Sequence, residues 1–79
     1  MADRTDASQE LARDEVATLL RELADEFERG EETVAVPVGN KTVTLTPPDT
    51  VTAEVEVVER SPRWGSSHER IGIDLEWKG

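Results

Sequence analysis

The chain has no cysteine and no tyrosine, and only one histidine and two lysines among its 79 residues. The missing cysteines exclude disulfides, thiolate chemistry and cysteine-based zinc sites. His68 alone cannot build a histidine metal cluster. No run approaches the roughly 18–20 apolar residues of a membrane span, and "MADRTDASQELARDE" has no apolar core of a signal peptide. A chain this short buries only about 60–65% of its unfolded surface, so a partner chain is the remaining source of extra stability.

What is abundant is negative charge. Eighteen acidic residues stand against nine basic ones, for a formal charge of -9. Such a surface repels nucleic acid and anionic membranes, because phosphate neutralisation needs clustered lysine and arginine. It also repels itself, and salt relieves that repulsion. The acidic, lysine-poor balance therefore suggests the cytoplasm of a halophile, with K+ or Na+ held non-specifically at the surface. Stability is expected to fall as salt is removed.

Residues 1–11 are polar and aperiodic and read as a flexible N-terminal arm; residues 12–79 read as a single domain. Val16, Leu19, Leu20, Leu23 and Phe27 recur at helical spacing, which predicts an amphipathic helix from about Ala12 to Arg29. Gly30 is its expected stop. Gly39-Asn40 is a two-residue hairpin signal. If Val38 faces Lys41, then Val36 faces Val43 and Val34 faces Leu45, so the apolar residues meet on one face. Pro37 marks strand 33–38 as an edge.

After the turn at Pro47-Pro48-Asp49, Val51, Ala53, Val55 and Val57 alternate with polar residues. So do Ile71, Ile73, Leu75 and Trp77 in "IGIDLEWKG". One apolar face needs one cover. The expected fold is therefore α+β, a two-layer sandwich of one amphipathic helix on a four-stranded antiparallel β-meander. Trp77 is expected to close the last apolar row.

Several chemistries can be set aside on the residues. "GNKT" has Asn40 where a phosphate loop has the glycine before its lysine, and a strand follows instead of a helix. Asn40-Lys41-Thr42, a glycosylation sequon, is read as a turn. His68 beside Ser66 and Ser67 reads as a solvated loop histidine. Glu54, Glu56, Asp74 and Glu76 should share the polar sheet face, with Arg60 and Arg70 near enough to pair with them. An open sheet face gives such carboxylates no cleft for acid/base work. Trp64, in "SPRWGSSH", is expected to fold back over a sheet edge, with partner contact as the other option.

The helix "DEVATLLRELADEFERG", the acidic alternating strands and the terminal "IDLEWK" resemble the small archaeal amphi-Trp domain proteins, over about residues 12–78. That family is named for an amphipathic carboxy-terminal stretch with a tryptophan, and members are common in haloarchaea. The resemblance implies no activity and no catalytic residues. The long "SPRWGSSH" connection and the weak first strand depart from the usual pattern.

These readings lead to a non-enzymatic interaction module with no cofactor. Its expected partner is a second copy or another protein. The exposed last strand suggests the interface, with Arg63, Trp64, Ile71, Asp74 and Trp77 as candidate interface residues. The alternative is a small-ligand or cation-binding domain that uses the acidic sheet face or the Trp64 loop.

Overall fold

A computed structural model describes residues 3–61 and 64–78. The chain divides into two compact units, Met1–Pro47 and Pro48–Gly79. The first holds α1 (Arg13–Glu28), β1 (Val34–Val38) and β2 (Lys41–Leu45); the second holds β3 (Thr52–Arg60) and β4 (His68–Glu76). Antiparallel ladders join β1 to β2 and β3 to β4, giving two two-stranded sheets. The α+β class read from the sequence is the class observed. The four strands, however, are divided between two hairpins instead of running as one meander. The division falls at Pro47-Pro48, two residues without an amide N–H for a ladder, and residues 46–51 carry no strand.

In the first unit, α1 begins without a side-chain cap. Ala12 is extended (φ -67, ψ 158) and has no acceptor to offer. Half of a capping box is nevertheless formed: the Ala12 amide donates to Glu15 Oε1 at 2.9 Å. Asp14 and Glu15 put negative charge in the first turn, where the helix dipole favours it. The helix stops as expected. Arg29 is its last, capping residue, and Gly30 follows at φ 71, a conformation glycine adopts without a Cβ penalty.

The β1–β2 register is the one deduced from Gly39-Asn40: Val38 opposite Lys41, Val36 opposite Val43, Val34 opposite Leu45. Gly39 has φ 62 and Asn40 does not share its positive φ, the pattern of a type II′ turn. The arm is not detached from this hairpin. A Cβ added to Gly39 would stand 3.0 Å from the Ala7 Cβ, so the arm passes directly over the turn.

Val34 is the one fully buried side chain among the described residues, at 2% exposure. The rest of β1 is half-buried, as are Leu23 and Phe27 of the helix, whereas β2 is mostly exposed. Glu26 ties α1 to β1. Glu26 Oε1 accepts the Ala35 amide at 2.8 Å, and Glu26 Oε2 pairs with Arg29 Nη2 at 2.9 Å. In the alternation set by the turn, the Ala35 amide faces away from β2. Glu26 therefore satisfies a donor on the free edge of β1, beside the proline that already breaks that edge.

Two stability changes are expected, both read from denaturant midpoints in molar KCl. Ala12→Ser supplies the missing cap acceptor and stabilises by about 1 kcal/mol. Glu26→Ala orphans the Ala35 amide and destabilises by about 1–3 kcal/mol. Glu26→Gln keeps an acceptor for Ala35 and loses only the partly exposed ion pair, so its effect is smaller.

Candidate functional site

The second unit carries the candidate interface. β3 and β4 pair over their full length, from Thr52 opposite Glu76 to Arg60 opposite His68. Side chains alternate across a strand, so this register sorts them into two faces. One face holds Ala53 with Leu75, Val55 with Ile73, Val57 with Ile71, and Glu59 with Glu69. The other holds Thr52 with Glu76, Glu54 with Asp74, Glu56 with Gly72, Val58 with Arg70, and Arg60 with His68.

The residues of the apolar row are largely exposed. Val55 is 69% exposed, Val57 63%, Ile71 74% and Ile73 52%. Exposure falls toward the other end of the hairpin, where Leu75 is 37% exposed and Val51 and Trp77 are half-buried. A two-stranded sheet of this kind is marginal in water without a further strand or a cover.

The polar face is itself divided. Glu54, Glu56, Asp74 and Glu76 lie toward the open end, and Arg60, His68 and Arg70 toward the loop end. Glu54 stands directly opposite Asp74, and on the apolar face Glu59 stands opposite Glu69. Like charges so placed are destabilising. The expected pairing of Arg60 and Arg70 with these carboxylates is not found. Among the described residues the ion pairs are Arg4–Asp6 and Glu26–Arg29. Arg70 instead lays its guanidinium over Gly72, 3.8 Å from where a Cβ would be. No group of three metal-ligating side chains stands together among the described residues.

The candidate residues are distributed as follows. Ile71 lies in the middle of the apolar row, and Asp74 projects from the opposite, polar face. Trp77 follows the end of β4 on the parity of Ile71 and is half-buried. Trp64 does not fold back over the sheet: it lies in a bend before β4 and is 85% exposed, next to Gly65 at φ 91. Arg63 lies outside the described residues. His68 is the first residue of β4 and not a loop residue.

Two features escaped the sequence reading. The alternation of β3 gave no sign that Val55 and Val57 would be bare. That the Arg70 guanidinium would lie over Gly72 had no signal until the structure placed it there. A cleft of about 800 Å³ in the first unit, between residues 4–9 and 38–41, is open and lined mainly by polar side chains such as Arg4, Asn40 and Lys41.

The family model of the Amphi-Trp domain matches residues 2–79. The chain belongs to the Amphi-Trp domain family. No curated protein and no solved structure matches the chain. Among the described residues, no helix is long and apolar enough to cross a membrane.

The like-charge pairs are expected to make the fold salt-dependent. The melting temperature is expected to be lower in 0.05 M than in 2 M KCl, where the Debye length falls below about 3 Å. Glu69→Lys converts the Glu59 pair from repulsive to attractive, worth about 0.2–1 kcal/mol, and should shrink that difference. Calorimetry of both proteins at the two salt concentrations checks it, and equal salt slopes would refute the role of the pair.

Proposed function

We propose that this Amphi-Trp domain protein is a small, non-enzymatic interaction module that self-associates through its β3–β4 unit in the cytoplasm of a halophile. The observation that carries the reading is a hairpin of two nine-residue strands with a largely exposed apolar row and, among the described residues, a strand edge that no third strand occupies. Each aliphatic side chain of that row is worth about 1.5–3 kcal/mol when fully buried. Unpaired edge amides and carbonyls are a template for another strand. A second copy is always present and supplies both.

The charge balance supports the habitat. A formal charge of -9 on 79 residues favours solubility in molar salt and disfavours nucleic acid and anionic lipid as partners. Pairing through one strand edge buries less than the roughly 1,200 Å² of a stable complex. The association therefore belongs to the weak class, and its extent depends on concentration.

Light scattering on a size-exclusion column in 2 M KCl, over a hundredfold range up to about 1 mM, tests this. The mass should rise from the 8.8 kDa of one chain toward twice that value. Ile71→Asp, which puts a charge into the middle of the apolar row, should hold the protein monomeric at every concentration. A wild-type chain that is monomeric throughout would mean that the row is covered from within, and the reading would be wrong.

A further inference from the structure

We infer that the second copy docks strand to strand, with β4 pairing antiparallel to the partner's β4 about a two-fold axis at Gly72. The inference rests on the self-association proposed above and specifies its geometry. It follows from comparing what each free edge would meet in its own copy.

A two-fold antiparallel pairing places each residue opposite its mirror position in the strand. β4 runs from His68 to Glu76, so its midpoint is Gly72. About that point Ile71 faces the partner's Ile73, and Arg70 faces the partner's Asp74. His68 faces the partner's Glu76, and Glu69 faces the partner's Leu75. By symmetry each of these contacts occurs twice. No like-charge pair arises. Every residue of the strand finds a partner, and the apolar row continues across the junction into a four-stranded sheet. The residue on the axis has no side chain, where two backbones come closest. Arg70 already lies over Gly72, toward that axis.

The other edges fail the same comparison. β3, Thr52–Arg60, has Glu56 at its midpoint, so self-pairing would set two carboxylates face to face on the axis. Pairing β3 with the partner's β4 is heterologous and does not close. β1 carries Pro37, and its Ala35 amide is taken by Glu26. β2 offers only five residues. The arrangement also gives Arg70 the opposite charge that it lacks within its own chain among the described residues.

Charge exchange tests the register. Arg70→Asp and Asp74→Arg each place like charges opposite one another in a homodimer. An equimolar mixture of the two variants restores both opposite-charge pairs in the heterodimer. Sedimentation equilibrium should be run at the lowest KCl concentration at which circular dichroism still shows the fold. Each variant alone should dimerise about tenfold or more weakly than wild type, and the mixture should recover wild-type affinity. Because the chain has no cysteine, Gly72→Cys gives a second readout. It should form a covalent dimer on oxidation, whereas Val57→Cys on β3 should not. Wild-type dimers left undiminished by both charge variants, or cross-linked through Val57→Cys, would overturn this geometry while leaving self-association standing. A wild-type monomer at all concentrations would overturn self-association itself.

Discussion

A β-hairpin with one apolar face cannot be left alone in water; the face must be covered or the sheet extended. The two halves of this chain meet that constraint differently. In the first, α1 lies on β1, Val34 is sealed, and Glu26 closes the strand edge with one accepted amide. In the second, the longer strands carry a longer apolar row, and its residues from Val55 to Ile73 are exposed. One hairpin ends its own edge; the other keeps an edge whose residues match themselves.

Charge acts on this framework in two ways. As a total it sets the solvent: a strongly acidic chain holds together best where cations are dense. As a pattern it sets geometry. Glu54 opposite Asp74 and Glu59 opposite Glu69 oppose the β3–β4 pairing locally, and the apolar pairs between them hold it. Glu56 at the centre of β3 argues against that strand meeting its own copy, while Arg70 and Asp74, equidistant from Gly72, favour the meeting of β4 with β4. On the polar face the carboxylates gather toward the open end and the arginines toward the loop end, and under the proposed self-association that pattern would discriminate among ways of pairing.

Much of the fold was legible because the relevant signals are local. Gly39-Asn40 fixed a two-residue turn, and a turn of known length fixes the register of everything beyond it. The helical spacing of Val16, Leu19, Leu20, Leu23 and Phe27 placed α1 to within one residue at each end. The interface candidates were partly legible: the strand was visible, but its partner was not. The role of Glu26 was hidden, since one more carboxylate on an acidic helix has no signature until an amide is brought within 2.8 Å of it. Trp64 was expected against the sheet and stands in solvent, because the bend at Gly65 turns the chain in a way no periodicity encodes.

By itself the sequence determined the α+β class, the helix, the four strands, the first hairpin's register and the net negative charge. These depend on the spacing of neighbours along the chain and on summed charge. Only the tertiary structure decided that the strands divide into two hairpins, that β3 and β4 pair with Glu54 against Asp74, and that the apolar row between them is bare. Those outcomes depend on which distant segments meet. Period-two alternation shows that a strand has an apolar face, but a face carries no record of what covers it.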